Sequence, residues 1–358
     1  MDAWTQRGRS LRSPPMHNAP PPSPQVPAMT RLPHAAAVLI AVLWQGSLLA
    51  QDAPLMTEGA RYTMSYEPPV SLRAAGFDWD HQLTVALPAT YGALPEKSYP
   101  VLWLTDGPGM MPLAVGILNL LVMGNLVPEM IVVGVGAPSE LGLMAFSQRR
   151  AVDFAPPGDT YFYGGFAGEQ LAAGAQAAGF RAPPQRADRF LDFLIDQARP
   201  ALAETYRFSG DHGLFGHSGG GMFTGYALFA RPGDFGKYIV GPPPTTAPDR
   251  AVCWRAEAFA EEHDDYDAEV FLGAGEAEIA DPNMAAWGIV SAPVLLAEIL
   301  KLRNYPSLEV TTRIFPGKDH FTVVADILGE GILALWGDEV EAPGSALDDV
   351  DWEDISQE

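Results

Sequence analysis

One serine in the chain is placed where it can act as a nucleophile. Ser218 lies in the run Gly216-His217-Ser218-Gly219-Gly220, which fits the pattern G-x-S-x-G. In this pattern the serine occupies a sharp turn between a strand and a helix, and the flanking glycines let the backbone bend without Cβ clashes. The helix that follows aims its free N–H groups at the place where an oxyanion forms. We predict a nucleophilic Ser218, with a packing turn that does no chemistry as the alternative.

A serine hydroxyl needs a base within hydrogen-bond reach. Two histidines follow Ser218 in the chain, His263 and His320. His263 lies in the acidic run EEHDDYD, which we expect to be exposed. His320 follows a predicted strand in the run PGKDHF, and the carboxyl ends of parallel strands are where loops carry functional groups. We predict that His320 is the base, with a purely structural histidine as the alternative.

The third group of such a site is an acid that orients the histidine. Three carboxylates follow the predicted strand EVFLGAG, namely Glu276, Glu278 and Asp281. Any of them could hold the imidazole tautomer and stabilise the imidazolium, so the chemistry alone does not rank them. For each, a solvated loop acid is the alternative.

Alternating strands and helices must position these residues. Apolar runs predict strands at 81–87, 99–105, 130–135, 213–216, 237–240, 268–274 and 308–315. Helical spacing predicts helices within 185–206, 220–230, 284–302 and 321–336. This alternation is typical of an α/β protein whose mostly parallel central sheet is covered by helices on both faces. The first strand, 81–87, alternates apolar and polar residues and is expected at an edge.

Several motifs together resemble one family of α/β-hydrolases. They are YPVLWLTDG at 99–107, VGVGAP followed by RRAVDFAPP at 149–157, the run GHSGGGMFTGYALFARPGDFGKYIVGPPP around Ser218, GAGEAE at 273–278, and DHFTVVADILGEGILALWG. The resemblance runs from about Gln82 to Trp336 and is to the esterase family that includes esterase D, enterochelin and salmochelin esterases, feruloyl esterase modules and mycolyltransferases. It implies the α/β-hydrolase fold and acyl chemistry, and it leaves the substrate open.

The resemblance also implies roles for single residues. The family's spacing of a glycine, two residues and a glutamate fits both Gly275 to Glu278 and Gly273 to Glu276, and the Gly-Glu-x-Glu form often seen in the family fits only the first, which favours Glu278. Family members take one oxyanion donor from the residue after the nucleophile, here Gly219. The second comes from the loop after an Asp-Gly pair, here Asp106-Gly107, where Pro108 has no N–H to offer. The resemblance therefore implies Gly107 or Gly109 as the second donor.

The walls of the site are less defined by the sequence. The segment 141–184 is rich in Gly, Ala and aromatic residues and interrupts the alternation. This segment could form a lid or wall over the site, or it could be an ordinary surface loop. Four side chains are candidates for an apolar acyl or aryl pocket, with a place in the core as the alternative: Met110, Met111, Phe146 and Trp287.

The beginning of the chain is typical of an export signal. Residues 29–50 carry one arginine, then an apolar run, then small residues before Gln51. Residues 1–28 resemble no folded element, and we expect Met29 to be the true start. We therefore expect an exported, periplasmic or secreted protein with three parts: an extension and signal at 1–50, a catalytic domain at 51–337, and an acidic tail at 338–358. We expect no stretch after the signal to span a membrane.

Charge and cysteine content exclude other classes. The formal net charge is −22, and the tail from Asp338 to Glu358 adds nine acidic and no basic residues. Such a chain is not expected to bind nucleic acid or anionic membranes by electrostatic attraction. The single cysteine, Cys253, forms no internal disulfide and is predicted to be a small buried side chain. We expect no cofactor and no metal, and the sequence predicts no oligomeric state.

These observations favour an exported serine esterase that acts on a small or polymer-linked carboxylic ester through an acyl-enzyme. The same intermediate serves acyl transfer to an alcohol, so an acyltransferase is the first alternative. A non-catalytic binding protein on the same fold is the second, because a fold does not by itself establish activity.

Overall fold

The computed structural model describes residues 59–157, 184–244 and 251–340. The predicted leader, the acidic tail beyond residue 340 and the larger part of the segment 141–184 lie outside these residues. Cys253 lies within them and is buried, as predicted.

The described residues form a nine-stranded sheet. Its strands are β1 (Ser65–Tyr66), β2 (Val70–Arg73), β3 (Asp80–Leu87), β4 (Tyr99–Leu104), β5 (Ile131–Gly136), β6 (Phe208–Gly216), β7 (Lys237–Val240), β8 (Ala268–Gly275) and β9 (Leu308–Phe315). The order is β1-β3-β5-β4-β6-β7-β8-β9, and β2 also pairs with β3. From β5 to β9 every pairing is parallel, while β1, β2 and β5 pair with β3 in antiparallel fashion.

Helices connect these strands. They are α1 (Gly107–Met123), α2 (Gly142–Asp153), α3 (Ala187–Asp192), α4 (Arg199–Ala203), α5 (Gly219–Ala230), α6 (Ala251–Glu262), α7 (Pro282–Ala286), α8 (Ser291–Arg303) and α9 (Val324–Trp336). A π-helical turn, Phe193–Ala198, joins α3 to α4. Short 3₁₀ turns cover Ser139–Leu141, Glu276–Ala280 and Gly337–Glu339.

The two faces of the sheet bury separate apolar clusters. Along β4, Val101 and Trp103 point to one face, and Leu102 and Leu104 point to the other. Residues of α3, α5, α6 and α8 cover the first face, and residues of α1 and α9 cover the second. A strand buried on both faces reads as a continuous apolar run, which is why β4 and β5 were predictable. The predicted mostly parallel sheet with helices on both faces is confirmed.

Some element predictions were wrong in detail. Strand β3 is not at an edge, because β1 and β2 pair with its outer side. Strand β6 extends back to Phe208, although its polar, largely exposed first residues gave no apolar signal. The predicted helix 284–302 is two helices, α7 and α8, separated by a turn. Helices α1, α2 and α6 were not predicted, and α2 occupies the start of the proposed lid segment.

One stretch after the predicted signal has the length and composition of a membrane span, contrary to our expectation. Within the described ranges, Pro282–Arg303 is long and apolar enough, with a mean hydropathy of 1.6. A buried core helix passes the same test. Helix α8 buries Ala292, Leu296 and Leu300 and packs against α6, β8 and β9.

The sheet order explains where a site can form. The chain places β5 on one side of β4 and then β6 on the other. A crevice opens at such a reversal, outside the carboxyl ends of the strands. The loop after β4 carries Asp106 and the turn after β6 carries Ser218, so the two segments with predicted roles are neighbours at this crevice.

Candidate active site

Ser218 sits on a strained turn between β6 and α5. Its backbone has φ 58° and ψ −124°, a conformation that residues other than glycine rarely adopt. A Cβ on Gly216 would lie 2.1 Å from the Gly220 carbonyl oxygen, and one on Gly220 would lie 2.2 Å from Thr105 Oγ1. The turn therefore requires glycine at both flanking positions, which is the physical content of the G-x-S-x-G pattern.

His320 is held by one of the three candidate acids. Its Nδ1 lies 2.5 Å from Glu278 Oε1, and the other carboxylate oxygen of Glu278 accepts from the Gly275 amide at 2.7 Å. Glu278 is 1% exposed. A buried carboxylate with both oxygens engaged fixes the orientation of the imidazole. With Nδ1 occupied, Nε2 is the nitrogen available to take a proton from a nucleophile.

The other two acids have different partners. Glu276 is exposed and accepts a hydrogen bond from the Gly317 amide at 3.0 Å. Asp281 caps α7 by accepting from the amides of Asn283 and Met284. Among the three, the structure brings only Glu278 to His320. The second histidine, His263, stacks on Phe259 of α6 with ring centroids 3.8 Å apart.

His320 contacts the residue that precedes Ser218. The rings of His320 and His217, the residue before Ser218, have centroids 4.6 Å apart. No hydrogen bond joins Ser218 Oγ to His320 in the described part of the chain. Such contacts are often long without substrate and tighten in the Michaelis complex. The geometry therefore places His320 against His217, the residue that precedes Ser218 in the chain.

Two backbone amides border this crevice. Gly219 is the first residue of α5 and Gly107 the first of α1, positions at which an amide has no acceptor within its own helix. Pro108 has no N–H, and the Gly109 amide already donates to the Asp106 carbonyl at 2.9 Å. Of the two candidates for the second oxyanion donor, the hydrogen bonding favours Gly107. A Cβ there would lie 2.5 Å from the backbone of Gly134, so α1 needs glycine to pack on β5.

Sequence reasoning missed a charged residue at the centre of this arrangement. Arg150 of α2 donates from Nε to both carboxylate oxygens of Asp106 at 2.9 Å and from Nη2 to the His217 carbonyl at 3.0 Å. Burial raises the pKa of the Asp106 carboxyl, and the charge of Arg150 opposes that rise. The signal was present, because Arg150 belongs to the run RRAVDFAPP that supported the family resemblance.

The four side chains predicted as candidates for an apolar pocket lie in different surroundings. Phe146 lies beside Arg150, whose guanidinium carbon is 5.9 Å from the ring centroid. Met111 is buried in the core, and Met110 is half-buried and packs against the same cluster. Trp287 is half-buried and follows α7 directly, where its amide donates to the Asn283 carbonyl at 3.0 Å. Of the four candidates, Phe146 is the one that the structure connects to the site.

Two exposed apolar side chains were not predicted. Phe321 is 83% exposed, and its ring centroid lies 5.5 Å from that of His320. Ile279, which follows the acid Glu278, is 64% exposed. Both side chains therefore lie at the protein surface next to the paired His320 and Glu278. Within the ranges 59–157, 184–244 and 251–340, no group of three or more His, Cys, Asp or Glu residues is placed to hold a metal.

Two buried histidines make the fold sensitive to acid. Burial and the charge of Arg199 lower the pKa of His212 to about 4, and burial and the neighbouring His320 lower that of His217 to about 3. Both titrate near 6.5 once unfolded. Below about pH 6.5 the unfolded chain therefore binds protons that the folded chain does not, and the free energy of unfolding falls as the pH falls.

This pH dependence can be tested at His212, which accepts a hydrogen bond from Trp103 Nε1 at 3.2 Å. Asparagine can accept the same bond but does not titrate. We expect the free energy of unfolding in urea, measured between about pH 4.5 and 7, to depend less steeply on pH in His212→Asn than in wild type. The difference in slope should correspond to about one proton fewer taken up on unfolding. Equal slopes of unfolding free energy against pH in the two proteins would contradict a lowered pKa of His212 in the folded chain.

The mostly parallel sheet, the helices on both of its faces and the strained serine turn after β6 define an α/β-hydrolase fold. A family model described as "Putative esterase" matches residues 74–287. The chain belongs to this esterase family, which confirms the predicted family.

Curated relatives and solved structures agree with this assignment. A siderophore enterobactin esterase of Emericella nidulans is 30% identical over 191 residues, which cover 51% of this chain and 59% of the relative. A siderophore triacetylfusarinine C esterase of Aspergillus fumigatus is 30% identical over 135 residues, covering 37% and 39%. The chain thus spans less than two thirds of the length of either relative.

Two solved structures share the fold. The siderophore hydrolase EstB from Aspergillus nidulans superposes with a TM-score of 0.61 at 24% identity, covering 76% of this chain and 96% of that one. An IroE-like serine hydrolase from Shewanella oneidensis gives a TM-score of 0.63 at 20% identity, covering 78% and 82%. At these identities the likeness supports the fold alone.

Proposed function

We propose that this chain is an exported serine carboxylic-ester hydrolase that works through an acyl-enzyme on Ser218. The observation that carries the proposal is the buried Glu278 held 2.5 Å from His320 Nδ1, beside a serine on a strained turn. Membership of the esterase family and the curated siderophore esterases support the reaction class.

The proposed first half-reaction forms the acyl-enzyme. Ser218 Oγ attacks the ester carbonyl carbon while its proton passes to His320 Nε2. Glu278 stabilises the imidazolium through Nδ1, and the amides of Gly219 and Gly107 donate to the carbonyl oxygen as it becomes an oxyanion. The bond to the leaving oxygen then breaks, and the alcohol departs with the proton from His320.

The second half-reaction restores the enzyme. Water attacks the acyl carbon and gives a proton to His320, and a second oxyanion forms at the same two amides. The bond to Ser218 breaks, Oγ recovers a proton from His320, and the carboxylic acid leaves. Each step uses a group that the site already holds, so the proposed reaction needs no additional co-reactant besides water.

The proposed substrate class is an ester-linked siderophore. Support comes from two curated relatives, named as esterases of enterobactin and of triacetylfusarinine C. The exposed Phe321 and Ile279 and the nearby Phe146 offer an apolar border to the crevice. Such a border favours a substrate with apolar or aromatic parts around its ester bond.

A panel of esters tests this substrate class. We expect enterobactin or triacetylfusarinine C to be hydrolysed with a kcat/KM at least about tenfold above those of methyl ferulate and p-nitrophenyl butyrate, because more of the substrate contacts the site in the transition state. The Ser218→Ala variant run on each ester is the control. A preference for methyl ferulate, or transfer of the acyl group to added alcohol in place of water, would overturn the assignment.

Export is proposed from the signal-like segment 29–50. An expressed full chain in a secreting host should lose this segment, leaving a mature end close to Gln51. N-terminal sequencing of the exported protein checks this, and a mature end within residues 1–40 would refute it.

A further inference from the structure

Arg150 connects the two segments that carry the proposed oxyanion donors. From Nε it reaches Asp106, the residue before Gly107, and from Nη2 it reaches the carbonyl of His217, two residues before Gly219. A Cβ on Gly219 would lie 2.8 Å from Nη1 of the same guanidinium. One planar group thus touches the segment after β4 and the turn after β6 together.

The ion pair is withdrawn from solvent. The side chains of Arg150 and Asp106 are 24% and 9% exposed, and the guanidinium lies over the ring of Phe154 at 5.5 Å. Removing two charges from water is costly, so a buried pair is weak evidence for a role in stability. A guanidinium that makes several bonds in one plane is well suited to fixing geometry.

Helix α2 has a separate anchor one turn further on. Asp153 lies 3.1 Å from His81 Nε2, and both side chains are buried, among Phe77, Phe190 and Phe193. This second contact ties the helix to β3. The bonds of Arg150 are therefore not the only ones that hold α2 in the described structure, which leaves them available for another task.

We infer that Arg150 is a positioning residue, which sets the separation of the Gly107 and Gly219 amides so that both can donate to one oxyanion. This rests on the proposed function of Ser218. Without the bridge, α1 and α5 keep their own packing but lose the group that fixes their first residues to each other. A misplacement of about 1 Å in a catalytic group can lower a rate by roughly 100-fold.

Arg149 supplies a matched control. It is the neighbouring residue on the same helix, and it stacks over Trp79 and donates to the Asp80 carbonyl, away from the crevice. Arg149→Met removes the same charge from the same helix. We expect its kcat and KM to stay within about threefold of wild type, because it makes no contact with either donor segment.

The test compares Arg150→Met and Arg150→Lys with Arg149→Met on a hydrolysed ester. We expect Arg150→Met to lower kcat on the order of 100-fold, with KM within about threefold, because the lost interaction acts in the transition state. The rate of fluorophosphonate labelling of Ser218 should fall in parallel, since the phosphoryl oxygen uses the same donors. Arg150→Lys, which keeps the charge but not the planar bridge, should recover only part of the loss.

The outcomes separate this inference from the proposed function. If wild type hydrolyses no ester and Ser218 is not labelled, the proposed function fails. If wild type is active and Arg150→Met behaves like Arg149→Met, or raises KM with kcat unchanged, only the positioning role fails. Should Arg150→Met not fold, Arg150→Met with Asp106→Asn removes both charges, and the same loss of kcat is expected of it.

Discussion

Replacing Ser218 with alanine should lower kcat for ester hydrolysis by roughly 10⁴- to 10⁶-fold, because the residual rate then comes only from the oxyanion donors and binding. The variant should fold, since alanine can keep the backbone of the turn at a cost similar to that of serine and the side chain is only half-buried. Steady-state kinetics on the best ester of the panel gives the measurement, with circular dichroism as the check on folding.

Ser209 is a suitable control for this substitution. It lies on the same strand, β6, at the end away from the crevice, and it is exposed. Its hydroxyl oxygen accepts a hydrogen bond from the Asp211 amide. Ser209→Ala should leave kcat within about twofold of wild type. Ser218→Ala with full activity would show that another residue is the nucleophile.

Replacing Glu278 with glutamine should lower kcat on the order of 10³- to 10⁴-fold. The carboxylate at 2.5 Å from Nδ1 holds the imidazole tautomer that leaves Nε2 free, and it stabilises the imidazolium. Glutamine can present an N–H to Nδ1 and so favour the wrong tautomer. The measurement is kcat for the ester, with thermal unfolding recorded beside it because Glu278 is buried.

The two other acids provide controls on the same segment. Glu276→Gln removes an exposed contact to Gly317, and Asp281→Asn keeps a side chain that can cap α7. Both variants should retain kcat within about threefold of wild type. A large loss in either one, with Glu278→Gln near wild-type activity, would assign the acid differently.

Local rules explain why the serine turn was predictable. The glycines at 216 and 220 are required by contacts with backbone and with Thr105, and Ser218 needs a positive φ. The requirements at Gly216 and Ser218 act within a few residues and therefore leave a pattern in the sequence, whereas the contact of Gly220 with Thr105 is long-range. His320 could be predicted for a similar reason, because it closely follows a segment, 308–315, that was predicted to be a strand.

Long-range contacts explain what was missed. The bond from Arg150 to Asp106 spans 44 positions and that to His217 spans 67, and neither follows from local spacing. Glu278 was favoured only through the family resemblance, because three acids follow β8 and only the fold selects one. Helix α1 was missed because it opens with Gly-Pro-Gly, which was interpreted as a loop, although proline is well tolerated in the first turn.

The most direct test of the account is covalent labelling of the intact chain with a fluorophosphonate, followed by peptide mass spectrometry. If Ser218 is the nucleophile, one adduct per chain is expected, on the peptide that contains Ser218, with loss of hydrolysis in proportion to labelling. The same adduct should be absent from Ser218→Ala. An adduct on another residue, or full ester hydrolysis by a chain labelled at Ser218, would contradict the claim that Ser218 is the nucleophile.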